Sequence, residues 1–116
     1  MKGEFTMQET IIYLRGNGRN EIKGVPLILE QLFKTYSYAK ENKLTVNKVF
    51  IDEIQSLDEP TPQFDEMVMY LKEKINSINQ KILVLTPFEA VLRLDNGGVL
   101  NELEAKGLTI ELAIFQ

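Results

Sequence analysis

Residues Ile11–Glu21 read IIYLRGNGRNE. An apolar run of Ile11, Ile12, Tyr13 and Leu14 passes directly into a Gly-Asn-Gly turn held between Arg15 and Arg19. β-branched and aromatic residues favour a strand, and the absence of alternating polar positions predicts burial on both faces. The turn then sits at the carboxyl end of a central strand. It is a phosphate cradle, the remnant of an active site, or only a turn.

The rest of the chain extends that strand into an alternating fold. The first strand is expected over Glu9–Arg15. Pro26 opens a first helix, where its missing N–H costs nothing, and Ile28, Leu29, Leu32, Phe33, Tyr36 and Ala39 recur at helical spacing. Asn42 is the expected left-handed stop. Lys48–Asp52 (KVFID) forms a second strand. Thr61 caps and Pro62 opens a second helix, with Asp65 and Glu66 complementing its dipole. Its apolar face is Phe64, Met67, Val68, Leu71, Ile75 and Ile78. Lys81–Thr86 (KILVLT) reads as a second central strand. A third helix covers about Val99–Lys106 and stops at Gly107, and Leu108–Phe115 alternates as a final strand.

This order predicts one three-layer α/β domain with a mostly parallel four-stranded sheet and right-handed crossovers. The domain is expected over residues 9–116, with residues 1–8 as a flexible leader. Ligands in such sheets sit beyond the carboxyl ends of the strands, here Arg15–Gly24, Glu53–Thr61 and Pro87–Asn96.

Composition narrows the chemistry. The 116 residues hold no cysteine and no histidine. Thiol catalysis, thiolate or imidazole metal sites and histidine-activated nucleophiles are therefore excluded. A Mg²⁺ site made only of carboxylates stays chemically open, but no metal and no cofactor is expected. The net charge of −4 is a poor match for the DNA backbone. No apolar run is long enough to cross a bilayer, and the N-terminal MKGEFTMQ has no apolar core of a secretory signal, so a cytoplasmic location is expected.

Neither common nucleotide motif fits the turn. The third glycine of the dinucleotide fingerprint is Glu21, and no phosphate-binding loop ending in Gly-Lys-Ser/Thr is present. The arginines are more informative. The chain has only three, Arg15, Arg19 and Arg93, and all fall in the loops after the first and third strands. Gathered there, they form a candidate anion pocket. The plainer alternative is solvated arginines pairing with Glu21, Glu89 or Asp95.

Several stretches, in order, resemble the catalytic domain of the serine recombinases (resolvases, invertases and large phage-type integrases). IIYLRGNGR is similar to their opening Tyr-x-Arg-x-Ser strand, and LEQLFKTYSYAKENKL to their first helix. VFIDEIQSLDEPTPQFDEMVMYLKE resembles their Asp-Glu-x-x-Ser-Gly segment followed by Arg-Pro-x-Phe and a helix. ILVLTPFEAVLRLDN stands where they have Asp-Arg-Leu-x-Arg, and LNELEAKGLTIELA resembles their Leu-Glu-x-x-Gly-Val-x-Leu ending. The resemblance spans about Ile11 to Ala113. It implies a strand order 2-1-3-4 and a phosphoryl-transfer site.

The departures fall on that site. The resemblance places the nucleophilic serine at Asn17, the aspartate of Asp-Arg-Leu-x-Arg at Glu89 and its first arginine at Ala90. The arginine before Pro-x-Phe is Thr61, the glycine after Ser56 is Leu57, and Arg15 and Arg93 are kept. An amide cannot form the covalent phosphoseryl intermediate, so no catalytic residue is expected. What would remain is an anion pocket of Arg15, Asn17, Arg19, Ser56, Glu89 and Arg93. Ser56 belongs to it only by position, because serine there more commonly caps a turn. The long dimerisation helix and DNA-binding module that the family carries after the last strand are expected to be missing, since the sequence ends at Gln116.

These readings point to a non-catalytic, regulatory or protein-interaction relative of the recombinase domain, linked to DNA recombination or a mobile element. Its expected partner is a protein, an intact recombinase among the candidates, with DNA binding weak or absent alone and no membrane association. The alternatives are a site-specific recombinase domain acting on DNA, and a small anion-binding α/β protein.

Overall fold

A computed structural model describes residues 7–18, 27–55, 59–74, 80–87, 102–103, 105 and 109–115. Along the chain come β1 (Met7–Gly16), α1 (Ile28–Glu41), β2 (Val46–Glu53), α2 (Pro62–Lys74), β3 (Gln80–Pro87) and β4 (Thr109–Phe115). The strands form one sheet in the order β2-β1-β3-β4, and every pairing is parallel. β1 starts at Met7, inside the stretch read as a leader, because Met7 and Gln8 already pair with Gln80 and Lys81.

The two middle strands carry the core. Ile11, Ile12, Tyr13 and Leu14 of β1 are fully buried, as are Ile82, Val84 and Leu85 of β3. Alternation divides them between two layers. Ile11, Tyr13, Ile82 and Val84 pack with Phe50 and with Phe64, Met67, Val68 and Leu71 of α2. Ile12, Leu14, Leu83 and Leu85 pack with Ala39 of α1 on the opposite face. Of the third helix expected over Val99–Lys106, Glu102, Leu103 and Ala105 are helical, and Leu103 is buried on the α2 side. Ile75, Ile78 and Leu108 lie outside the described residues.

β1 shifts partners along its length. Its first half runs beside β3 from Met7↔Gln80 to Ile12↔Leu85, and its second half runs beside β2 as far as Gly16↔Glu53. The β1–β2 register slips between Thr10 and Ile11. Asn47 Oδ1 accepts the Thr10 N–H there at 2.9 Å, so the irregularity leaves that donor satisfied. The carboxyl ends of β1 and β2 thus project together.

Three helix details differ from the sequence-based expectation. The left-handed residue after α1 is Lys43 (φ 57°), whereas Asn42 has φ −98°. The Leu44 N–H donates to Ala39 O at 2.8 Å and the Lys43 N–H to Lys40 O at 3.1 Å. This is a Schellman closure with lysine in the left-handed position, and Leu44 packs onto the α1-side core. The second difference is the buried face of α1. Gln31, Thr35 and Ala39 face the sheet, with Ile28 and Leu32 half-buried beside them, while Leu29, Phe33 and Tyr36 are exposed. One polar anchor ties that face to the sheet, Gln31 Nε2 donating to Arg15 O at 2.8 Å, and the buried Thr35 hydroxyl is satisfied within the helix by donating to Gln31 O at 2.6 Å.

The third concerns α2. Its capping oxygens come from Asp52 on β2 rather than from the Thr61 hydroxyl. Asp52 Oδ1 accepts the Gln63 N–H and Oδ2 the Phe64 N–H, each at 2.8 Å. A carboxylate at a helix N-terminus satisfies orphan donors and meets the positive end of the dipole.

Candidate functional site

The site grows from alternation along β1. Tyr13 points into the α2 layer, and Arg15, two residues on, leaves the sheet on the same side. In register opposite Arg15 stands Asp52. Tyr13 OH donates to Asp52 Oδ2 at 2.6 Å and accepts the Arg15 Nε–H at 2.8 Å. Arg15 Cζ lies 5.4 Å from the Tyr13 ring centroid and 5.8 Å from that of Phe64. The two rings themselves meet edge to face at 5.6 Å. One relay therefore runs from Arg15 through Tyr13 to Asp52 and into the first turn of α2.

The electrostatics keep Tyr13 a neutral phenol. Burial raises its pKa well above the ordinary value of 10.0, and the Asp52 bond raises it further, outweighing the lowering effect of Arg15. A phenol held protonated is a hydrogen-bond donor and not an activated nucleophile. Asp52, 3% exposed, already accepts three donors. Both groups are committed to structure.

Arg15 is placed differently. It is half-buried, its Nε is engaged and its plane is stacked, yet among the described residues no carboxylate forms an ion pair with it. Its remaining N–H donors suit an anion. Thr86, fully buried at the carboxyl end of β3, alternates with Ile82 and Val84 and so shares the Tyr13 face. Among the described residues its hydroxyl has no hydrogen-bond partner.

Asn17 lies one step past β1 and is 5% exposed. Its Nδ2 donates to Ile54 O at 3.2 Å, and its backbone oxygen accepts the Ile28 N–H at 2.9 Å. The Ile54 N–H donates in turn to Gly16 O at 2.7 Å. The turn is thereby stitched to the end of β2 and the start of α1. Gly18 is exposed, and a Cβ added there would meet Glu53 Oε2 at 2.7 Å. That atom is the free end of an exposed side chain and can swing away. Gly18→Ala should therefore cost under about 1 kcal/mol in urea unfolding. A loss of several kcal/mol would mean that the turn requires glycine for its backbone.

Of the pocket residues expected from sequence, Arg15 and Asn17 are described, Arg15 near the end of β1 and Asn17 one residue past it, each bonded to a different partner. Arg19, Ser56, Glu89 and Arg93 lie outside the described residues, as does Ala90. Sequence reasoning overlooked Tyr13, Asp52 and Thr86 as members of this site. Two signals were present: Asp52 is an acid directly following the apolar VFI of a strand, and Tyr13 and Asp52 stand at the tyrosine of Tyr-x-Arg-x-Ser and the aspartate of Asp-Glu-x-x-Ser-Gly in the family resemblance. Among the described residues no group of three or more acidic side chains could hold a metal ion. No helix among them is long and apolar enough to cross a membrane.

Comparison with solved structures gives this arrangement a fold class. The chain superposes on the C-terminal catalytic domain of ISC1926 TnpA, an IS607-like serine recombinase, with a TM-score of 0.59. The match covers 91% of this chain and 67% of that one at 18% sequence identity. The fold is that of a serine-recombinase catalytic domain. No protein-family model matches the sequence, and no curated protein matches it.

Proposed function

We propose that the chain is a non-catalytic relative of the serine-recombinase catalytic domain, acting in the cytoplasm through contact with another protein in DNA recombination or within a mobile element. One observation carries the reading. The residue at the position of the family's nucleophilic serine is Asn17, buried and donating its amide to Ile54 O. It has no hydroxyl, and its side chain serves the turn. The partner of first choice is an intact recombinase, whose catalytic domain shares this fold. The test incubates the protein with supercoiled plasmid and Mg²⁺, quenches with denaturant and looks for covalent protein–DNA adducts on a gel. No adduct is expected. A robust adduct would return the chain to the class of site-specific recombinases acting on DNA.

A second reading, a small-anion binder, is favoured by Arg15, without an ion pair among the described residues, and by the Thr86 hydroxyl, without a hydrogen-bond partner among them, on one sheet face. Arg19, Asn17, Ser56, Glu89 and Arg93 complete that pocket in this reading. Sulfate or phosphate should then raise the melting temperature by a few degrees at millimolar concentration, since a ligand bound only by the folded state stabilises it. Arg15→Ala should remove the sulfate-dependent increment whatever it does to the baseline. Equal increments in both proteins would count against the pocket.

A further inference from the structure

The row that α1 turns away from the sheet is the most apolar exposed feature among the described residues. Leu29, Phe33 and Tyr36 are 73%, 76% and 45% exposed. They follow at i, i+4 and i+7, so they lie along one side of the helix over about 10 Å. A single exposed leucine is ordinary, but a row of bulky side chains with two aromatics is the pattern of a helix that docks. Met69 of α2, 61% exposed, has no such neighbours.

The charges on α1 say what docks. The helix carries Glu30, Lys34, Lys40 and Glu41 and is balanced, in a chain of net charge −4. Two copies meeting here escape the repulsion that their net charge brings elsewhere. The charges are also ordered. Glu30 lies in the first turn and Lys40 in the last. Lys40 stands four residues beyond Tyr36, so its stem prolongs the apolar row. Neither Glu30 nor Lys40 forms an ion pair within the chain among the described residues.

We propose that α1 is a self-association face, on which a second copy packs antiparallel about a two-fold axis between Phe33 and Tyr36. Phe33 of each copy then meets Tyr36 of the other, and Leu29 covers the Lys40 stem. The Lys40 ammonium reaches Glu30 of the facing helix, basic last turn against acidic first turn. The contact is isologous and closes as a dimer. Its apolar row is short against the roughly 800 Å² per partner of a stable interface, so the dimer is weak and concentration-dependent. This proposal is independent of whether the chain cuts DNA, and its test contains none.

Sedimentation velocity of the full chain from about 1 μM to 1 mM should show a monomer passing to a dimer. Phe33→Glu should weaken dimerisation by more than about tenfold. Lys40→Glu should weaken it as well, and Glu30→Lys combined with Lys40→Glu should restore it, because the pair is exchanged between copies. All these positions are exposed, so thermal melting by circular dichroism should show each variant folded. A chain that stays monomeric at the highest concentration overturns the proposal and leaves the row to a different protein. So does a dimer indifferent to Phe33→Glu, or a double exchange no better than Lys40→Glu alone.

Discussion

Asp52→Ala should cost the fold about 3–5 kcal/mol, while Thr61→Ala should cost only about 0.5 kcal/mol or less. The contrast follows from where α2 obtains its capping oxygens. Asp52, 3% exposed, accepts the Tyr13 hydroxyl at 2.6 Å and the N–H groups of Gln63 and Phe64 at 2.8 Å. Hydrogen bonds to a charged group contribute about 1.5–3 kcal/mol each, though three bonds to one carboxylate do not add in full. Removing the carboxylate also leaves the buried Tyr13 hydroxyl without its acceptor. Against a typical total stability of about 5–15 kcal/mol, this single change would leave a large unfolded fraction. Asp52→Asn should fall between the two, since its amide keeps one acceptor and turns a donor toward donors. Urea unfolding followed by circular dichroism reads the effect as a lower midpoint at unchanged slope. A loss below about 1 kcal/mol for Asp52→Ala would show that α2 is not held by Asp52.

That cap also marks where the sequence stops being readable. The local rule points to Thr61, the polar residue just before Pro62. The true partner lies nine residues earlier, brought to the helix by the strand it ends. Local patterns name a residue type at a fixed offset; they do not see a neighbour supplied by sheet register. The contact of Tyr13 with Asp52 was illegible for the same reason, because it exists only once β1 and β2 lie parallel with Arg15 opposite Asp52. By contrast, the burial of IIYL and ILVL was legible, since a strand without polar alternation has no face to give to water. The face of α1 was half legible. Its apolar residues cover more of the helix than a sheet can bury, and periodicity alone does not choose among overlapping rows. Gln31 chose, by its bond to Arg15 O on β1, and Thr35 can follow it inside because its hydroxyl is satisfied within the helix. At the site, Arg15 and Asn17 could be placed through a family resemblance, whereas the loops with Arg19, Ser56, Glu89 and Arg93 lie outside the described residues.

Restoring a hydroxyl should not restore an enzyme: Asn17→Ser is expected to give no covalent adduct with supercoiled DNA, as the unaltered chain is expected to give none. A serine at position 17 is too short to keep the amide link to Ile54 O, now 3.2 Å, so the variant loses about 1 kcal/mol before any chemistry begins. Among the described residues its hydroxyl would also find no base ready nearby. Tyr13 is held protonated by burial and by Asp52, and Asp52 is occupied by three donors. The arginines that the resemblance requires at positions 61 and 90 are Thr61 and Ala90. Each missing contact to the transition-state oxygens typically costs about 10²–10³ in rate. Two such losses leave a deficit of about 10⁴ or more, allowing that groups acting together are not additive. A net charge of −4 adds weak hold on duplex at physiological salt. The informative series is therefore Asn17→Ser alone, then with Thr61→Arg, then with Ala90→Arg, each incubated with plasmid and Mg²⁺ and quenched with denaturant. Adducts that appear only in the last member would identify the missing charges as the barrier. An adduct from Asn17→Ser alone would show that the remaining pocket, Arg15 with Arg93, is more complete than the sequence suggests, whereas an adduct from the unaltered chain would overturn the non-catalytic reading.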